Sequence, residues 1–153
     1  MKLPKNFFNL VRVILAISLA GIVAGINLPL STLTLKSWGI SSSIIGLAAS
    51  MMGLSAAVAT PFLPRMVNRF GQINVLRISL ITLPLAILAL PLFQNLYAWF
   101  LFRFIIGLAA TIIWVLSEIW INSFAEDKNR GRIIAIYTSL LSLGFIIGVL
   151  IMS

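Results

Sequence analysis

Residues 133–153 read IIAIYTSLLSLGFIIGVLIMS and contain no charged side chain. Three further uncharged runs precede this one, over residues 13–35, 37–64 and 78–102. A helix needs about 20 consecutive apolar residues to cross the hydrocarbon core of a bilayer, and each run reaches that length. The strands of a membrane barrel would instead alternate apolar and polar residues over about 10 positions, which the quoted run does not do. The sequence therefore predicts an all-α membrane protein.

The composition excludes most soluble functions. Of the 153 residues, 61% are hydrophobic and 9% are charged, and the mean hydropathy is +1.13; a soluble domain carries about 25% charged residues. The chain contains no Cys or His and three acidic residues. These absences argue against thiolate chemistry, disulfides and zinc or haem sites, and make metal–carboxylate catalysis an unfavourable interpretation. We therefore expect no enzyme activity, no cofactor and no metal.

Turn residues and charges divide the chain into five predicted spans. Proline, serine and amide residues mark the connections, and a polar run over residues 126–130 precedes the last span. The serines Ser41 to Ser43 are suited to cap the second helix. The predicted spans are residues 11–30, 43–63, 73–92, 97–122 and 132–153, which together form a partial N-terminal transmembrane domain.

The basic residues predict the orientation of the spans. With a cytoplasmic N-terminus, one side receives nine Lys and Arg residues and the other side receives only Lys36, because Arg103 lies inside a span. This bias predicts that the N-terminus is cytoplasmic. The net charge of +8 is therefore read as a topology signal, and we expect no nucleic-acid partner. The first apolar run is longer than the 7–15 residues of a signal peptide, so we expect an uncleaved first helix.

The end of the chain suggests an incomplete protein. The fifth span stops at Ser153 without the basic or aromatic residues that usually flank a membrane helix. A secondary carrier assembles its cavity between repeats, and five spans do not supply both sides of one. We therefore expect this chain to be the N-terminal portion of a longer protein whose C-terminal half is missing.

Two ionisable residues, Arg103 and Glu118, lie inside the fourth span. A charge within the bilayer costs several kcal/mol and is expected to face the bundle interior or a wet cavity. Helical spacing aligns both residues in one stripe, and their 15-residue separation corresponds to about 22 Å, too far for them to pair. The stripe consists of Arg103, Gly107, Ala110, Trp114, Glu118 and Asn122, while Ile105, Leu108, Ala109, Ile112, Leu116 and Ile119 cover the other side.

Each of the two charges has a structural and a functional interpretation. Glu118 could form an ion pair between helices with Arg69, Arg130 or Arg132, or it could bind a proton or substrate. No predicted outer segment contains an acidic residue that could pair with Arg103, and this favours a cavity or gating role for Arg103. Trp114 and Asn122 share the stripe and are candidates for the same cavity.

Small residues mark predicted helix contacts. Gly21 and Gly25 form a GxxxG pattern in the first helix, and Gly144 and Gly148 form another in the fifth. Close packing is the expected role of such patterns. In the second helix Gly46, Ser50, Gly53 and Ala57 share one predicted packing face, and in the fourth Gly107 belongs to the charged stripe.

This order of spans and basic loops resembles the N-terminal half of the major facilitator superfamily over nearly the whole chain. The family carries a signature after its second helix: Gly, four residues on an Asp, then Arg, any residue, Gly and two basic residues. Here only the Arg and the Gly are kept, and Asn68 stands where the family's Asp joins a charge network that latches the outward-open state. The corresponding positions are Pro64, Asn68, Arg69, Gly71, Gln72 and Ile73.

The later helices carry further similarities to the family. Arg103 and Gly107 resemble its RxxxG signature, and the Arg130–Gly131–Arg132 sequence is similar to its RG-containing connector. Glu118, before Trp120 and Asn122, is similar to a Glu-containing segment in a bacterial branch of carriers. Gly144 and Gly148 resemble the glycine motif of drug/proton antiporters, with Val149 in place of the expected Pro.

The resemblance implies a secondary active transporter of the bacterial inner membrane, with about five of twelve helices present. Its implied partners are the lipid bilayer, a small-molecule substrate and the missing half of the same chain. It also implies cytoplasmic gate loops that contain Asn68, Arg69, Gly71, Arg130 and Arg132. Three alternatives stay open: a small membrane scaffold that oligomerises through Arg103 and Glu118, a four-helix multidrug exporter, and a lipid enzyme. The exporter interpretation is weakened because the first helix of this chain has no Glu, which that family requires there. The enzyme interpretation is weakened because no nucleophile lies beside a base in a recognisable site.

Overall fold

The computed structural model describes residues 7–124 and 130–152, and the regular secondary structure within these residues consists of helices. Each of the five α-helices contains a segment long and apolar enough to cross a membrane. This confirms the predicted bundle of about five transmembrane helices. The α-helices are α1 (Phe7–Ser37), α2 (Ser42–Phe70), α3 (Gln72–Ala89), α4 (Leu96–Phe124) and α5 (Arg130–Ile151), and a short 3₁₀ helix, Leu90–Leu92, follows α3.

The first two helices run further than the sequence predicts. The first span was expected to end at residue 30, but α1 continues through Pro29 to Ser37. The second was expected to end at residue 63, but α2 continues through Pro61 and Pro64 to Phe70. Membrane helices tolerate proline because other groups satisfy the freed carbonyls, so proline is a weak boundary signal here.

The polar residues after Pro29 do not end α1, because they bond to the helix itself. The Oγ of Ser31 donates to the carbonyl of Asn27 at 2.7 Å, and the Oγ1 of Thr32 donates to the carbonyl of Leu28 at 3.0 Å. A hydroxyl satisfied in this way is compatible with an apolar surrounding. The segment expected to form a loop is therefore helical.

The chain forms two compact units. One consists of α1 with its turn to Gly39, the residues of α4 from Ser117 onward, and α5. The other consists of Ile40–Leu116, which includes α2, α3 and most of α4. We call these the α1–α5 unit and the α2–α4 unit.

Glycines bring the backbones of α1 and α5 into contact within the α1–α5 unit. A Cβ added at Gly21 would lie 2.5 Å from the carbonyl oxygen of Leu141. A Cβ at Gly25 would overlap the carbonyl oxygen of Phe145 and lie 3.0 Å from the Cα of Gly148. Only residues without a Cβ permit this approach, which is how small residues promote helix association in membranes.

A small apolar core holds the α2–α4 unit together. Leu63 of α2, Val75 of α3, and Ile112 and Leu116 of α4 form one buried cluster. Ile112 and Leu116 belong to the side of α4 opposite the charged stripe, and this apolar side is therefore part of the protein core. Hydrophobicity does not distinguish core from lipid in a membrane protein, because both surroundings are apolar.

The outer surface of this unit is strongly apolar. Along α3, Ile81, Leu85 and Leu88 are 61–67% exposed. A contiguous apolar surface of this kind is unusual for a protein in water but is the expected surface of a helix in contact with lipid.

Candidate functional site

Arg103 is a buried charge within α4. Its side chain is 2% exposed, and it lies in a segment, Leu96–Trp120, that is long and apolar enough to cross a membrane. One guanidinium nitrogen, Nη1, lies 3.5 Å from the Sδ of Met52 on α2. A thioether sulfur is a weak hydrogen-bond acceptor. The contact places the guanidinium of Arg103 between α4 and α2.

Gly107 fixes the distance between these two helices one turn further along α4. A Cβ at Gly107 would overlap the Oγ of Ser55 and lie 2.9 Å from the Cα of Met52. The hydroxyl of Ser55 donates to the carbonyl of Met52 at 2.7 Å and is fully buried. The two residues of the predicted RxxxG pattern thus face the same short stretch of α2.

Met52 and Ser55 were not among the residues identified from sequence. The buried face of α2 contains Ala48, Ser55, Ala59 and Leu63. Gly46 and Gly53, which the sequence selects for packing, lie roughly 150° around the helix. Both are exposed, with no atom of the described chain within 4 Å of an added Cβ, so close packing there stays a prediction. Small residues cover most of α2, and the sequence therefore offers more than one possible contact face.

The remaining stripe residues of the α2–α4 unit are more accessible. Ala110 is half-buried and Trp114 is 48% exposed. The stripe of α4 thus changes along its length from a buried guanidinium to an open indole. Arg103 and Trp114 share one face of α4 but are eleven residues, or about 16 Å, apart along it.

Glu118 and Asn122 belong to the α1–α5 unit. Glu118 is exposed and Asn122 is half-buried. The carboxylate of Glu118 lies close enough to the hydroxyl of Tyr137, on α5, to interact with it electrostatically. Tyr137 is 3% exposed, and its hydroxyl has no hydrogen-bond partner within the described residues. Tyr137 was missed from sequence because a single Tyr in an apolar run gives no distinctive signal.

The structure describes the side chains of Glu118 and Arg132, two candidate members of the hypothesised ion pair between helices. Its candidate partner Arg132 lies on α5 and is exposed, as is Glu118 itself. The side chain of Arg130, a second candidate, lies outside the described residues, as does the polar connector over residues 125–129. The pairing of Glu118 therefore stays a prediction.

The predicted gate loop after the second helix is mostly helical. Asn68 and Arg69 lie in the last turn of α2, and the connection to α3 is Gly71 alone. Gly71 has φ +80°, a backbone conformation that glycine adopts without strain, and its N–H donates to the carbonyl of Val67 at 2.9 Å. The expectation of a longer loop is corrected because α2 continues past Pro64.

Residues 13–153 match the family model described as Major Facilitator Superfamily. The MFS-type transporter YfkF of Bacillus subtilis is 26% identical over 92% of this chain and 36% of its own length. The MFS-type transporter Ent638_1421 of Enterobacter sp. is 25% identical over 71% of this chain and 28% of its own length. Multidrug resistance protein 2 of Bacillus subtilis is 24% identical over 81% of this chain and 31% of its own length. This chain thus spans about a third of these curated relatives, and no solved structure is significantly similar to it.

Proposed function

Because the chain belongs to the Major Facilitator Superfamily, a family of membrane transporters and not of enzymes, we propose that it is part of a secondary carrier. The carrier moves a small solute across the membrane by alternating access and is driven by a proton or another ion. The observation that carries this proposal is Arg103, a guanidinium buried between two apolar helices. Ionisable residues kept inside a membrane span usually mark the path of a solute or an ion.

In this proposal the stripe of α4 lines one wall of the solute path. Arg103 binds an anionic group of the solute or takes part in gating the path, and Trp114 and Asn122 contact the solute. Glu118 couples transport to a proton. The opposite wall is supplied by the missing C-terminal half of the same protein, since carriers place their sites between repeats.

The gate of the proposed carrier lies at the turn between α2 and α3. Asn68, Arg69 and Gly71 belong to it, and Arg130 and Arg132 at the start of α5 belong to a second proposed gate segment. These residues face the cytoplasm in the orientation favoured by the basic residues, with a cytoplasmic N-terminus. Bacterial relatives support a location in the bacterial inner membrane.

Coupling by Glu118 predicts a selective defect in Glu118→Gln. The name of one relative makes drugs the first solutes to test, and a solute that raises the melting temperature of the purified protein is then followed in proteoliposomes. We expect Glu118→Gln to keep exchange of solute between equal pools but to lose accumulation driven by a pH gradient, because the amide does not carry a proton.

The control is Glu126→Gln, which removes an acidic residue from the predicted connector and is expected to leave gradient-driven accumulation intact. A structural ion pair predicts a different pattern. In that case Glu118→Gln reduces exchange and accumulation alike, and exchanging the charges of Glu118 and Arg132 restores both. That outcome would remove proton coupling from the proposed role of Glu118.

A further inference from the structure

An apolar groove opens on the surface of the α2–α4 unit. It has a volume of about 240 Å³, and its lining includes Phe70 of α2, Val75 and Thr82 of α3, and Ile105 and Ile112 of α4. Val75 and Ile112 are buried and form the floor, whereas Phe70 is 52% exposed and forms part of the rim.

The groove presents almost no polar group to an occupant. Ser79 lies in its lining, but its hydroxyl donates to the carbonyl of Val75 at 3.0 Å and is satisfied within α3. A groove lined mostly by apolar side chains favours a hydrocarbon ligand over a hydrogen-bonding one. The chemistry of the lining therefore suits an acyl chain.

The groove follows α3 from Val75 to Thr82. This seven-residue separation corresponds to about 10 Å at 1.5 Å per residue. One leaflet supplies half of the roughly 30 Å hydrocarbon thickness, so the groove holds part of an acyl chain. Phe70, at the end of α2, also lines the groove, and a headgroup at that end would lie near Gly71.

Arg69 stands at that end of the groove. Its guanidinium lies 5.5 Å from the centre of the Phe70 ring, and Phe70 is part of the groove lining. Residues 40–116, which make up this unit, contain four arginines and no acidic residue. The charge of Arg69 therefore has no carboxylate within its own unit to neutralise it.

The start of α3 also favours an anion at the same end. The amino terminus of this 18-residue helix begins at Gln72 and carries a partial positive charge. A negatively charged headgroup would be complementary to this terminus and to Arg69, and basic sites between membrane helices bind such headgroups.

We propose that this groove binds one anionic phospholipid, with an acyl chain in the groove and the headgroup at Arg69. In the orientation favoured by the basic residues, the lipid comes from the cytoplasmic leaflet. The groove is distinct from the charged stripe, because its α4 residues lie on the opposite side of the helix. Arg69 belongs both to this site and to the proposed gate.

The test measures lipid binding by native mass spectrometry on the detergent-purified protein as its gene encodes it. The probes are phosphatidylglycerol and phosphatidylethanolamine with identical acyl chains. We expect one saturable phosphatidylglycerol site and weaker binding of phosphatidylethanolamine. Arg69→Gln should lower the phosphatidylglycerol affinity about fivefold, equivalent to the roughly 1 kcal/mol that one basic residue contributes near an anionic surface.

Arg77→Gln is the matched control, because it removes the same charge from an exposed position of α3. Arg77 lies roughly 150° around α3 from the groove lining. We expect Arg77→Gln to change the phosphatidylglycerol affinity by less than about twofold, because Arg77 lies outside the proposed site. Equal losses in both variants would indicate diffuse attraction to basic residues and would overturn the proposal.

A second pair of variants tests the groove itself. Thr82→Phe places a ring in the groove and should weaken phosphatidylglycerol binding, whereas Leu88→Phe on the exposed surface of α3 should not. Melting temperatures establish that each variant is folded. Absence of a saturable site, absence of headgroup preference, or unchanged binding in a folded Thr82→Phe would each contradict the proposal.

Discussion

Replacing Gly25 with alanine is expected to force α1 and α5 apart and to destabilise the protein by about 3 kcal/mol, the upper part of the range for overpacking. The added Cβ would overlap the carbonyl oxygen of Phe145 and lie 3.0 Å from the Cα of Gly148. Both neighbours are backbone atoms, so no side chain can rotate away to make room. The melting temperature of the purified protein should fall by roughly 6–12 °C.

Gly46→Ala provides the matched control. An added Cβ at Gly46 meets no described atom within 4 Å. Alanine favours a helix over glycine by about 1 kcal/mol, so this variant should be as stable as the wild type or slightly more stable. If both variants lower the melting temperature equally, the loss of stability would be a general effect of replacing glycine with alanine. The close approach of α1 and α5 would then not explain it.

Replacing Arg103 with methionine is expected to abolish transport while leaving the protein folded and inserted. Methionine is unbranched and flexible, and it can fill the space of the buried arginine stem without its charge. Removing a charge from within a span also lowers the insertion cost, which is about 3 kcal/mol for an arginine at the centre. Accumulation of the solute in proteoliposomes should fall to the level of vesicles without protein.

The control for Arg103→Met is Arg77→Met, which removes an exposed arginine from α3. We expect this variant to transport the solute at the wild-type rate. If Arg103 has only a packing role, Arg103→Met should lower the melting temperature, and transport should be lost only as far as the fold is lost. If Arg103→Met melts at the wild-type temperature and still accumulates solute, the guanidinium does not take part in transport.

The sequence predicts the class of fold well because the bilayer imposes a simple requirement. A spanning segment needs a long apolar run with internally satisfied backbone, and four uncharged runs satisfy it visibly. The boundaries are less predictable, because Pro29, Pro61 and Pro64 lie inside helices where a soluble protein would have turns. The same tolerance of proline reduced the connection between α2 and α3 to Gly71.

The partners of the candidate residues are harder to derive than the residues themselves. Arg103 is evident as a charge in an apolar run, but the contact with Met52 depends on how α2 is rotated against α4. The sequence of α2 has small residues on several faces, so its rotation is set by packing rather than by its own pattern. The face of α4 that carries Ile112 was equally ambiguous, since core and lipid are both apolar.

The central claim is that the charged stripe of α4 lines a water-filled path, and single cysteines test it most directly. These 153 residues contain no Cys, so each substitution introduces the one thiol within them, and its labelling is measured against the unsubstituted full-length protein. Trp114→Cys samples the stripe, whereas Leu101→Cys and Ile119→Cys bracket it from positions about 140° around the helix. All three native side chains are 48–58% exposed, so exposure alone does not separate them.

The measurement is the rate of modification by a membrane-impermeant thiol reagent, applied in turn from each side of membranes that contain the full-length protein. Thiols react as thiolates, which require water. We predict that Trp114→Cys reacts from at least one side, that bound solute changes its rate, and that Leu101→Cys and Ile119→Cys react far more slowly. Equal rates at all three positions, or no reaction of Trp114→Cys from either side, would show that the stripe does not line an aqueous path.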